Sequence, residues 1–284
     1  MSKVLACIDG SAYSQSVCEH AIWAARRLDA PLEFLHVLDR RPATAGTRDL
    51  SGSIGFDSQD RLLSELAQLD ETRGRLAQQH GRQMLEAVVR KAREQGLADV
   101  EQRLRHGALV DTLSELEQGV RLFVLGKRGE HADFAKLHLG SGLERAVRGV
   151  HRPLLVASRQ FKKVERVMLA FDGSETTRKG VEMIVASPLF KDLPCHVVMA
   201  GVDTAEARAR LRWASDSLSS AGFEVHGGIR SGNAETVIGQ YVTENNIDLL
   251  VMGAYGHSRV RQLIVGSTTT AMIRTCLIPV LLLR

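Results

Sequence analysis

The chain has 284 residues, of which 44% are apolar, and carries 37 Lys and Arg against 33 Asp and Glu. That length accommodates two domains, each with a full hydrophobic core. The net charge is only +4, shared as 22 basic and 21 acidic residues over 1–158 and 15 and 12 over the rest, so no basic stripe for nucleic acid stands out.

In chain order, Lys3–Ile8 reads as a buried strand running into Asp9-Gly10-Ser11. Val17, Ala21, Ala24 and Leu28 keep a 3–4 residue spacing and predict a helix with one apolar face. Leu32–Leu38 reads as the second strand. Arg40–Gly81 begins with Gly, Ser, Thr and Pro and then turns polar and charged. It fits a surface loop plus a solvated helix, or a lid or partner-binding insertion. Further strands are expected at Val100–Arg105, Leu122–Leu125 and Pro153–Ala157. Between the last two, residues 125–142 place Gly126 and Gly129 ahead of Gly140-Ser141-Gly142.

The second half repeats this plan. Arg166–Phe171 leads into Asp172-Gly173-Ser174. Leu211, Ala214, Leu218 and Ala221 predict one helix, and Val237, Ile238, Tyr241 and Val242 another. The strand ending at Met252 is followed by Gly253, Gly256 and Gly266-Ser267-Thr268. Leu277–Arg284 matches His151–Ser158 as a Pro-led closing strand. A repeat of this size means two homologous domains, 1–158 and 166–284, joined by a short polar linker, Arg159–Glu165. Alternating strands and helices predict an α/β fold with a mainly parallel sheet, whose ligands bind beyond the carboxyl ends of the strands.

Both Asp residues and both glycine loops fall at that edge. Asp9 and Asp172 fit either a helix N-cap or a hydrogen bond to ribose hydroxyls. Ser267 and Thr268 fit either a cap or phosphate binding by hydroxyls and helix N–H groups. Lys127, Arg128, His257, Arg259 and Arg261 either meet phosphate or point to solvent. His131, Asp133 and His138 lack a clear metal spacing. No nucleophile–base arrangement, Walker A sequence or first-strand dinucleotide fingerprint is present. Cys7, Cys18, Cys195 and Cys276 form no CxxC pair, as suits buried thiols in a reducing cytosol. Asp9 interrupts any apolar leader, and Leu277–Leu283 is far shorter than the ~20 residues of a membrane span, so a cytoplasmic chain is expected.

The Gly-x2-Gly-x9-Gly-Ser spacing of Gly253, Gly256, Gly266 and Ser267 resembles the nucleotide-binding motif of the universal stress proteins. The first half carries it with ten residues in place of nine. The whole chain outside Arg40–Gly81 resembles two such domains in tandem. The resemblance implies two adenine-nucleotide α-hydrolase-like folds, each a five-stranded parallel sheet between helices, and it implies ATP as ligand, with or without Mg2+. Carried over by position, Asp172 faces the ribose, Gly201 or Val202 the adenine, Gly253 and Gly256 the sugar–phosphate path, and Gly266, Ser267 and Thr268 the phosphates. The matching set in the first half is Asp9, Val37, Gly126, Gly129, Gly140 and Ser141. The longer first loop, and Gly142 where the second half has Thr268, make domain 2 the better expected site. The resemblance further implies pairing of the two halves through their last strands, and a homodimer. The function that follows is an ATP-binding stress sensor or regulator with at most slow hydrolysis. The alternatives are a nucleotide-free interaction module and an adenylyl-transferring enzyme.

Overall fold

The computed structural model describes residues 2–38, 56–129, 141–254 and 266–284, with side chains left aside at 56–63 and 141. In domain 1 the strands are β1 (Lys3–Cys7), β2 (Leu32–Leu38), β3 (Val100–His106), β4 (Val120–Gly126) and β5 (Leu154–Ala157). The helices are α1 (Ser14–Leu28), α2 (Phe56–Glu94), α3 (Leu109–Leu116) and α4 (Ser141–Gly149). Domain 2 supplies β6 (Val167–Ala170), β7 (Cys195–Ala200), β8 (Val225–Arg230), β9 (Leu249–Gly253) and β10 (Val280–Leu283). Its helices are α5 (Glu175–Ala186), α6 (Ala205–Ser220), α7 (Ala234–Glu244) and α8 (Ser267–Thr275).

The ten strands form one sheet in the order β3-β2-β1-β4-β5-β10-β9-β6-β7-β8. Every neighbour pair inside a half is parallel. The seam between halves is the one antiparallel pair, with Leu155 opposite Leu281. Each half is thus a doubly wound α/β unit. The apolar runs are near-continuous because helices cover both faces. One core lies under α1, α2, α5 and α6 and the other under α3, α4, α7 and α8; each continues across the seam. Antiparallel pairing turns the carboxyl ends of the two sets of strands to opposite ends of the sheet.

Polar links reinforce the seam. Arg284 Nη1 donates to the carbonyls of Arg148 and Val150, at 2.9 and 2.8 Å, where α4 ends. Within the linker, Lys162 Nζ meets buried Asp248 at 2.7 Å, and Asp248 also accepts the N–H groups of Glu165 and Arg166. Phe161 stands edge-on to His20, ring centroids 4.9 Å apart.

His20 is fully buried in α1, its Nδ1 2.7 Å from the Ser16 carbonyl. Burial, opposed in part by that carbonyl, lowers its pKa from 6.5 to about 4. The unfolded chain therefore binds a proton between these values that the fold refuses, and stability falls as pH drops through the window. At pH 5 the expected loss is about 2 kcal/mol. Urea unfolding of wild type and His20→Gln at pH 7 and pH 5 measures it: the variant should lose the smaller amount on acidification.

Candidate functional site

In domain 2 a cavity of about 450 Å³ opens beyond the carboxyl ends of β6, β7 and β9. It lies where a doubly wound sheet binds ligands, and its size is in the range of small-molecule sites. One wall is apolar: Val198 and Ala200 from β7, Ala234 and Ile238 from α7, and Met252 from β9. Facing it are Asp172 and Thr177, and the floor is Gly253 with the start of α8.

The site is assembled by short-range hydrogen bonds. Asp172 Oδ1 accepts the Ser174 N–H at 2.9 Å and the Thr177 hydroxyl at 2.8 Å. The N-cap of α5 is Ser174, whose hydroxyl accepts the Thr177 N–H. The capping role open to Asp172 thus falls to its neighbour, and the carboxylate is oriented at the cavity wall. Past β9 the chain leaves at Ala254 and returns at Gly266, whose N–H donates to the Ala254 carbonyl at 3.3 Å. The Thr269 hydroxyl donates to the Gly253 carbonyl at 2.9 Å and ties the first turn of α8 to the strand end. Gly266 caps α8 without a side-chain hydrogen bond. First-turn N–H groups, the positive end of the helix dipole and the Ser267 and Thr268 hydroxyls therefore converge on the cavity, an arrangement suited to an anion.

Of the residues expected from sequence, Asp172, Gly253, Gly266, Ser267 and Thr268 line this one cavity. Val202 is 78% exposed and outside the lining, and Gly201 donates its N–H to the Arg230 carbonyl. Gly256, His257, Arg259 and Arg261 lie outside the described residues, as do Gly140, His131, Asp133 and His138. Ser141 begins α4.

Domain 1 places its counterparts differently. Asp9 accepts the Ser11 N–H at 3.1 Å, and Gly129 lies against it: a Cβ there would be 3.2 Å from Asp9 Oδ2. A Cβ at Gly126 would stand 2.8 Å from that of Tyr13, the residue matching Thr176. Strand register equates Cys7 with Ala170 and Val37 with Ala200. Leu109, the first residue of α3, takes the place of Ala234, the first of α7. Larger side chains thus stand where domain 2 keeps three alanines. Ala170, Ala200 and Ala234 are among the lining residues that motif reasoning missed, with Phe171, Thr177, Val198, Ile238, Met252 and Thr269; only the register makes the smallness of the alanines meaningful.

Lys127 takes neither role open to it from sequence. It is 8% exposed and its Nζ donates to the Cys276 carbonyl where α8 ends, in the other domain. Burial lowers its pKa, a proximity to Cys276 opposing. Among the described residues, no three His, Cys, Asp or Glu side chains group as a metal site, and no helix is long and apolar enough to cross a membrane.

The universal stress protein family model matches residues 1–158 and 163–284. A universal stress protein of Synechocystis sp. is 38% identical over 287 residues, covering all of both chains. Among solved structures, a universal stress protein from Archaeoglobus fulgidus shares the fold at 23% identity, TM-score 0.69, with 99% of this chain and 98% of that one covered. A protein from Pseudomonas aeruginosa described as a putative universal stress protein superposes at TM-score 0.64 and 18% identity, over 100% of this chain and 93% of that one.

Proposed function

The chain belongs to the universal stress protein family, and we propose that its second domain binds ATP and that the protein acts as a nucleotide-dependent regulator of the stress response. The observation that carries this reading is the convergence, in one cavity, of a small-residue apolar wall, an oriented carboxylate and an uncapped helix N-terminus. These suit a flat heterocycle, a sugar diol and a phosphate chain, in that order along the cavity. The adenine lies between Ala200, Ala234, Ile238 and Met252, Asp172 accepts from the ribose hydroxyls, and the phosphates end at Gly266–Thr268. Magnesium enters with the phosphates, whose oxygens supply most of its ligands.

Among the described lining residues Asp172 is the one carboxylate, and its Oδ1 already accepts from Ser174 and Thr177, which supports a site that holds nucleotide rather than turning it over quickly. Domain 1 serves as a structural partner, because Cys7, Val37 and Leu109 occupy the volume that three alanines leave open in domain 2. Calorimetric titration with ATP and magnesium is expected to give one site per chain, lost in Gly266→Val, where a branched side chain blocks close approach of phosphate. Two sites, one surviving the substitution, would return domain 1 to nucleotide binding. No heat and no thermal shift with ATP would leave a nucleotide-free interaction module.

A further inference from the structure

We propose that a cavity at the seam of the two domains binds a small apolar carboxylate, of the size of a medium-chain fatty acid. The cavity, of about 360 Å³, lies where the amino ends of β4 and β5 meet the last turn of α5 and the turn after it. Its apolar part is Leu28, Val120 and Leu122 from domain 1 and Met183, Leu189 and Phe190 from domain 2. All of these but Met183 are buried, so the cavity reaches down to core side chains.

The polar part selects the ligand. The described lining residues include Arg121 and Arg152 and no Asp or Glu. Phe123 of β4 pairs beside Leu154 of β5, and the Phe123 N–H donates to the Pro153 carbonyl at 3.0 Å. Continued two residues toward the amino ends, that pairing sets Arg121 beside Arg152. Like charges side by side on neighbouring strands are destabilising, and a counter-charge between them relieves the repulsion. The fold supplies none: among the described residues, neither guanidinium has a hydrogen bond or an ion pair. Glu117 accepts the main-chain N–H of Arg152, at 2.8 Å, and leaves its side chain unpaired.

Two neighbouring guanidiniums at an apolar cavity suit an anion with an apolar body. A planar carboxylate takes paired N–H donors from arginine, and the chain behind it fills the cavity. At the ~30 Å³ that a water-sized group occupies in a liquid, there is room for about twelve non-hydrogen atoms, as many as decanoate has. Because both domains contribute to the lining, a bound chain bridges them and stabilises the folded state.

Calorimetric titration of the full chain with decanoate, below the concentration at which it forms micelles, tests this. One molecule per chain is expected, with a rise in melting temperature. Hexanoate, four methylenes shorter, should bind at least about a hundredfold more weakly, at roughly fourfold per methylene. Decanol, which has the chain without the charge, should bind about tenfold more weakly than decanoate. Arg121→Gln/Arg152→Gln should weaken decanoate to the level of decanol and leave decanol itself unchanged, which also shows the variant folded with its cavity open. No saturable binding of decanoate, hexanoate binding as well as decanoate, a variant that holds decanoate as wild type does, or one that loses decanol together with decanoate would each overturn the assignment.

Discussion

Ser267→Glu is expected to weaken ATP binding about a hundredfold, ~2.7 kcal/mol, while leaving the protein as stable or slightly more so. Ser267 is exposed and is the first residue of α8. A carboxylate in the first turn of a helix is favoured by the dipole, typically by 0.3–1 kcal/mol. The same dipole end and the same N–H groups are what the proposed site offers to phosphate. Glutamate would occupy them, remove one hydroxyl donor to a charged oxygen and repel the triphosphate. The two readouts move apart: calorimetry with ATP loses affinity while the melting temperature without ligand holds or rises. Adenosine, which lacks the phosphates, should bind wild type and variant alike. Equal ATP affinity in the two proteins would mean that the phosphates do not reach α8.

Ser267→Glu probes a residue that the sequence exposed through its motif; other features were hidden, for physical reasons that differ from case to case. Leu32–Leu38 was legible to the residue because an apolar run between turns leaves one choice, and the internal repeat made the two α/β units legible with it. Asp172 stayed ambiguous, since an acid before a helix serves equally as cap or ligand; in the fold Ser174 takes the cap, while Asp172 accepts the Ser174 N–H and the Thr177 hydroxyl. The insertion read as loop plus solvated helix, and its limit at Gly81 falls where α2 first meets the His36 ring. What the periodicity left out is that the helix runs on unbroken to Glu94, half on the sheet and half beyond it. Lys127 was misread because its partner lies 149 positions away, a contact that exists only once β5 and β10 have paired. The difference between the two domains at this edge was hidden in the same way: Ala200 and Val37 are far apart in sequence and become equivalent through strand register alone.

Alkali is expected to cost the fold about 3 kcal/mol by pH 10 through two thiols, Cys18 and Cys195. Neither is more than 1% exposed. Burial pushes both up from 9.0 to about 12; at Cys18 the neighbouring Lys91 opposes the rise and Glu19 adds to it. The unfolded chain releases these protons from pH 9, whereas the folded chain holds them until about pH 12. Between those values the fold binds more protons than the unfolded state, so stability falls as pH rises, by about 1.4 kcal/mol per thiol at pH 10. Cys7 and Cys276 are shifted in the same direction, again by burial first, and add to the loss. Lys127 works against it: its lowered pKa lets the unfolded chain hold the extra proton just below pH 10.5, so that contribution grows with pH. Urea unfolding under reducing conditions at pH 8 and pH 10 separates these effects. Cys18→Ala/Cys195→Ala should start less stable, from two small cavities, yet lose about 3 kcal/mol less than wild type between the two pH values. An identical loss in both proteins would mean that these thiols ionise in the fold as readily as in the open chain, and that the strand and helix carrying them are not closed to water.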